Sequence, residues 1–174
     1  MKMIRRTKKS QIRKELMRFA CELAALALFL LIVFRFFFGI TVQHGNDMYP
    51  ALRDGDIIIY SRTAELVNTE ACVYRAEGRL RTGRIAATEG TVISATGDMQ
   101  LTFDGVYLPA LPGSGIYDRT YAAEEQMLPF TVSEDAYFIL GDDRANAEDS
   151  RVLGQIDARN IQGRIIAVFR RRQI

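Results

Sequence analysis

Residues 137–151 read Tyr-Phe-Ile-Leu-Gly-Asp-Asp-Arg-Ala-Asn-Ala-Glu-Asp-Ser-Arg, and the rest of the chain is best read outward from them. Ala136 to Leu140 is a short apolar run of strand length. Gly141 marks a turn behind it, and charges of both signs follow at Asp142, Arg144, Asp149 and Arg151. An apolar run bounded in this way reads as a buried strand that feeds a loop. Gly154 and Gly163 mark further turns or close backbone approaches.

On either side the patterns stay short and strand-like. Upstream they are Asp56 to Ser61, Ala71 to Tyr74, Arg84 to Ala87 and Thr91 to Ala95. Gly97-Asp98 reads as a turn before Met99 to Phe103, and Asp104-Gly105 as a hairpin turn before Val106 to Leu108. Pro109 to Tyr121, with Gly113, Ser114 and Gly115, reads as a loop. Ile161 to Phe169 is the last strand. Many short strands with polar turns, and no long amphipathic helix, predict a compact, mostly β, largely antiparallel domain over 41–174.

The first forty residues differ in kind. Residues 1–18 carry eight Lys or Arg against Glu15 alone, a net +7, whereas the whole chain of 174 residues is only +2. Residues 19–40 are apolar, with no polar side chain from Leu23 to Phe34. As a helix this stretch spans about 33 Å, enough for a bilayer core of about 30 Å. The cation bias predicts a single-pass signal anchor in the cell membrane, with residues 1–18 cytoplasmic and 41–174 extracellular. Glu22 and Arg35 lie near its ends, where long side chains reach the headgroups.

Composition narrows the function. The outer part carries net −5, which argues against a nucleic-acid partner. It holds one cysteine, Cys72, in the run Ala-Cys-Val-Tyr, and the other, Cys21, lies in the span. That usage predicts neither a disulfide framework nor a metal site, with Cys72 a buried strand residue. No phosphate loop or His/Cys cluster is present, so no cofactor is expected.

Three blocks in order carry a resemblance. The first is Arg35-Phe-Phe-Phe, then Gly45-Asn-Asp-Met-Tyr-Pro-Ala-Leu52, then Asp54-Gly-Asp56. The second is Gly83-Arg84-Ile85 with Gly90, followed by Gly97-Asp-Met-Gln-Leu-Thr-Phe-Asp-Gly105. The third is the opening stretch, continued by Gly154, Ile161 and Gly163-Arg164. Together they resemble the type I signal peptidase (S26) family, whose fold is an antiparallel β domain behind a membrane anchor.

That family cleaves exported precursors with a serine nucleophile and a lysine base. A serine hydroxyl needs its proton removed before it attacks, and the lysine must be neutral to take it, which burial favours. The resemblance sets Asp47 at the serine position and Gly83 at the lysine position. No lysine occurs after Lys14, so the outer part cannot assemble a Ser/Lys dyad in any register. The single histidine, His44, lies three residues before Asp47. Ala51 stands where the family has threonine, and Ala86 to Thr91 departs from the family pattern.

The resemblance further implies that Asp142 pairs with Arg84, and that Asp149 meets Arg144 or Arg151. It outlines a binding groove from Asp47, Met48, Tyr49, Pro50, Gly83, Arg84, Asp142 and Arg144. The closest pattern is a catalytically inactive (SipA-type) subgroup from pilus loci of Gram-positive bacteria, which implies a chaperone-like accessory in sortase-mediated pilus assembly. The implied partner is the major pilin, the pilus sortase, or both. Two other readings stand beside it: a peptidase using a carboxylate pair such as Asp47 with Asp142 or Asp149, and an inactive subunit of a signal peptidase complex.

Overall fold

The computed structural model describes residues 2–108, 120–122 and 128–170. Two compact units meet in sequence at Phe38/Gly39. The first is a single helix, α1 (Lys2–Phe37). Its stretch Gln11–Phe37 is long and apolar enough to cross a membrane. The helix stops earlier than the sequence implied, since Phe38 to Ile40, counted into the span, begin the first strand. Gly39 explains the switch, because a Cβ there would lie 2.1 Å from the Tyr60 ring and only glycine permits that approach.

Among the described residues the second unit has ten strands: β1 (Phe38–Val42), β2 (Ile57–Ser61), β3 (Ala71–Ala76), β4 (Arg79–Ala87), β5 (Val92–Ala95), β6 (Leu101–Phe103), β7 (Phe130–Thr131), β8 (Ala136–Leu140), β9 (Ile156–Asp157) and β10 (Ile161–Phe169). One sheet has the order β1-β2-β10-β3-β4-β8-β9, and a smaller one has the order β6-β5-β7. From β2 through to β9 in the large sheet, and throughout the small one, neighbouring strands run antiparallel. The architecture is thus mostly β and antiparallel, behind an N-terminal apolar helix.

Alternation along the strands divides the core. Phe138 and Leu140 of β8 pack with Ala87, Ile93, Leu101 and Val132, between the two sheets. Ile139, pointing the other way, packs with Cys72, Tyr74, Ile85 and Ile156. A third cluster joins Met48 and Leu52 to Ile58, Tyr60 and Val73. Cys72 is fully buried, and burial pushes its thiol up to about 12.

Several elements differ from the sequence reading. β4 starts five residues earlier, at Arg79, because Glu77 and Gly78 adopt φ of 49° and 76° and close a two-residue hairpin with β3. β6 starts at Leu101, since Met99 takes a left-handed φ of 64° within the turn that Thr96 and Gln100 close. Val106 to Leu108 is not a strand; Val106 only bridges Phe103 across the Asp104-Gly105 turn. β7, β9 and a short helix α2 (Ser150–Leu153) were not anticipated. Most of the Pro109 to Tyr121 loop lies outside the described residues, and Tyr121 itself bridges Gln100.

Candidate functional site

The turn after β1 places Asp47. Its N-terminal entry is fixed by Gln43, whose N–H donates to the Asp56 carbonyl (2.8 Å) and whose carbonyl accepts from Gly55 (3.0 Å). Asp54 Oδ1 accepts from the Gly45 N–H at 2.9 Å. The Asp47 carbonyl accepts from the Asp143 N–H at 3.0 Å. Gly141 makes room for this contact, since a Cβ there would sit 2.6 Å from the same carbonyl oxygen. The 47 turn and the loop after β8 are therefore stitched backbone to backbone.

The Asp47 side chain is half-buried. Burial raises its carboxyl above the usual carboxylate range, Glu148, Asp149 and Asp143 add to the rise, and Arg81 opposes it. Arg81 is held between Glu77 and Glu148, each at 2.8 Å. It sets a positive charge against a locally acidic site.

Gly83 lies on β4 opposite Cys72. A Cβ built there would meet Ile139 Cγ2 at 2.3 Å and Tyr74 Cε1 at 3.2 Å. Both neighbours are core residues with at most 1 % exposure. The volume into which a side chain at 83 would point is thus occupied by packed hydrocarbon and an aromatic ring.

The ionic framework is well ordered. Arg84 clamps Asp142 with two bonds, Nε to Oδ1 at 3.0 Å and Nη2 to Oδ2 at 2.8 Å, and its Nη1 donates to the Thr69 carbonyl. Arg151 clamps Asp149 in the same way, at 2.8 and 2.9 Å, and donates to the Arg144 carbonyl. Asp149 Oδ2 also accepts from the Gly141 N–H (2.9 Å), and Ser150 Oγ accepts from the Ile139 N–H (2.9 Å). Of the two arginines expected for Asp149, Arg151 is the partner. Arg144 is nine-tenths buried, with Nε and Nη1 lacking a hydrogen-bond partner among the described residues. Burial lowers it to about 10, against the pull of Asp149 and Asp142.

The residues outlined as a groove from sequence differ in exposure. Met48 is fully buried in the core, and Asp142 is 2 % exposed, so both side chains lie inside the fold. Arg144 is likewise enclosed. Tyr49 is exposed, with the Arg53 guanidinium 5.6 Å from its ring centre, and Pro50 is half-buried. His44 is exposed and lines a concavity beside this turn.

That concavity runs between Thr41 to His44 on one side and Leu80 to Thr82 on the other, with Val73 among its lining residues. Thr82 Oγ1 donates to Gln43 Oε1 across it at 2.6 Å. The hairpin fixes which backbone groups face it. The two-residue turn makes Ala76 and Arg79 a hydrogen-bonded pair, so by alternation Leu80 and Thr82 turn their N–H and C=O away from β3. β8 pairs β4 only from Arg84 onward. Among the described residues, this stretch of β4 is therefore an open strand edge beside a groove. Sequence reading missed it because Arg79 to Gly83 was not read as strand; the Glu77-Gly78 dipeptide was the available signal.

Known proteins resemble this chain along most of its length. The family "Signal peptidase, peptidase S26" matches residues 15–170. A signal peptidase I of Bacillus amyloliquefaciens is 29 % identical over 144 residues, covering 77 % of each chain. A crystal structure of a signal peptidase I from Enterococcus faecalis V583 aligns with a TM-score of 0.45 at 20 % identity, covering 60 % of this chain and 98 % of that one.

Proposed function

From the premise that this chain belongs to the signal peptidase, peptidase S26 family, we propose that it is a non-catalytic member that binds an extended segment of a client protein. The single observation that carries this reading is the packing at Gly83. The position that the resemblance sets against the family's lysine has no side chain, and the space in front of it is filled by Ile139 and Tyr74. No lysine elsewhere after Lys14 offers a substitute base.

What is retained supports binding. The clamps Arg84–Asp142 and Arg151–Asp149 hold the loop after β8 against β4 and the 47 turn. The open edge at Leu80 and Thr82 offers main-chain donors and acceptors of the kind that recruit an added strand. Asp47 sets a carboxylate near that edge, suited to an amide or cationic group. In this proposal α1 anchors the chain with residues 1–18 cytoplasmic and the β unit outside, and the client is the major pilin or its sortase. The chain would then act as a SipA-type accessory of pilus assembly.

A deletion strain complemented with the wild-type chain, with Leu80→Pro, or with Asp47→Ala tests the proposal. Pilus polymers restored by wild type and lost in both variants, with normal protein levels, support the groove. Specific cleavage of precursor peptides by the purified chain, abolished by Asp47→Asn, would overturn the non-catalytic reading.

The raised Asp47 carboxyl is the one observation that favours a carboxylate-pair peptidase. Such a dyad needs two acids free to share a proton. Asp142 and Asp149 are each clamped bidentately by arginine, which leaves neither available to Asp47.

A further inference from the structure

Resting on the reading that an extended client segment adds along the open edge of β4, we infer that this edge selects a client residue bearing a carboxamide, asparagine or glutamine, at the place that faces Arg81. The selecting groups are the Arg81 Nε–H and the Asp47 carboxylate.

Arg81 holds a donor in reserve. Its side chain is 12 % exposed, and its two η nitrogens are taken up by Glu77 and Glu148, each at 2.8 Å. Its Nε is buried and has no hydrogen-bond partner among the described residues. A donor cut off from water and left unpaired is costly to the fold, and it rewards a ligand that brings an acceptor. Arg81 stands directly opposite Tyr74, so the two side chains share a face of the hairpin. Asp47 belongs to the same place. Of the charges that act on its carboxyl, Arg81 acts most strongly. The loop stitched to the 47 turn also carries Glu148, which bonds Arg81.

The edge supplies the register. Leu80 and Thr82 turn their N–H and C=O outward, so a strand added there bonds to them on either side of Arg81. The client residue facing Arg81 then sets its Cβ about 5 Å from that of Arg81, on the same face.

Chemistry narrows what that residue is. Lysine brings donors only, so it leaves Nε unpaired and adds a cation beside Arg81. A carboxylate brings an acceptor, but it joins Asp47, Glu77 and Glu148 as a further anion. A hydrocarbon leaves both partners unpaired. A carboxamide carries an oxygen to accept from the Arg81 Nε–H and an NH2 group to donate to Asp47. A site built on such bonds rejects analogues that lack them far better than an apolar pocket rejects a missing methylene.

The probes are capped, fluorescently labelled peptides Thr-Val-Thr-X-Thr-Val-Thr in which X is Asn, Gln, Leu, Lys or Glu. Each is titrated by fluorescence anisotropy with the full-length chain in detergent micelles, as wild type, Leu80→Pro, Arg81→Lys and Asp47→Ala. Wild type should bind the better of the Asn and Gln peptides about ten-fold more tightly than the Leu peptide. The Lys and Glu peptides should bind no better than Leu. Arg81→Lys keeps the cation but lacks the Nε–H donor, so the ratio of carboxamide to Leu affinity should fall toward one. Asp47→Ala should lower the same ratio, and it carries the test should Arg81→Lys melt early. Equal binding of all five peptides, lost in Leu80→Pro, overturns this inference and leaves the strand-edge reading intact. A preference for Lys or Glu does the same, as does a carboxamide preference unchanged in both Arg81→Lys and Asp47→Ala. Binding of no peptide, or binding indifferent to Leu80→Pro, removes the edge reading and this inference together.

Discussion

Ile139 Cγ2 lies 2.3 Å from where a Cβ on Gly83 would be, inside the contact distance of any real carbon pair. β8 and β4 are locked in register beside it by the pairs Arg84–Leu140 and Ile85–Ile139. Gly83→Ala should therefore cost about 1–3 kcal/mol through overpacking. Combined with Ile139→Ala, the loss should be clearly less than the sum of the single losses, measured by a denaturation double-mutant cycle. The same contact means that Asp47→Ser with Gly83→Lys should fail to cleave precursor peptides unless Ile139 is also reduced.

The two arginines near Asp149, Arg144 buried and Arg151 half-buried, should respond oppositely to removal of charge. Arg151→Met strands the Asp149 carboxylate, which is 1 % exposed, and should cost about 3–5 kcal/mol. Arg144→Met removes a guanidinium whose Nε and Nη1 have no partner among the described residues and replaces it with hydrocarbon. It should be neutral or stabilising, by up to about 1–4 kcal/mol. Urea midpoints of the two variants distinguish the outcomes.

Asp47 gives a pH signature. Its carboxyl is raised in the folded chain, first by burial and then by Glu148, Asp149 and Asp143. The folded state thus binds the proton more tightly than the unfolded state, whose value is near 3.8. This contribution favours folding at low pH and is lost as pH rises through the folded value. Asp47→Asn, neutral throughout, should raise the melting temperature at pH 7, with the gain shrinking as pH falls toward 4.

The β4 edge yields a backbone test. Leu80 belongs to a pair not hydrogen-bonded to β3, so proline there removes no hairpin bond and takes away only an outward donor. Leu80→Pro should unfold within about 1 kcal/mol of wild type, by the measure that holds for compatible proline sites, yet lose client binding. Arg81→Pro, at a hydrogen-bonded pair, should destabilise the hairpin itself. Comparing pull-down of the client with thermal melts separates the two.

The order of strands was legible where apolar runs ended in glycine or charge. Ala136–Leu140 and Ile161–Phe169 were read with the bounds they have. Elements set by tertiary contact were not: β1 looks like more of the apolar span until Tyr60 is seen against Gly39. β7 and β9 are two residues each and exist only through their partners Val92–Ile93 and Ala136–Tyr137. The site divides in the same way. Motif residues could be named from the sequence, but which of them face a ligand depends on burial that no motif encodes, as Met48 and Asp142 show. Arg81 and Gln43 belong to no block quoted from the sequence, Glu148 stands in the opening stretch without a role there, and all three become visible only as neighbours.

The folded β unit carries arginine as its only strongly basic side chain, and every primary amine of the chain lies within its first fourteen residues. Acylating reagents that seek amines can therefore mark only that leading stretch. On intact cells an impermeant reagent of this kind reports directly which side of the envelope the N-terminus occupies. Any enzyme at the surface that couples an acyl group to a lysine finds no acceptor on the domain itself, which can attend such a reaction without becoming its product.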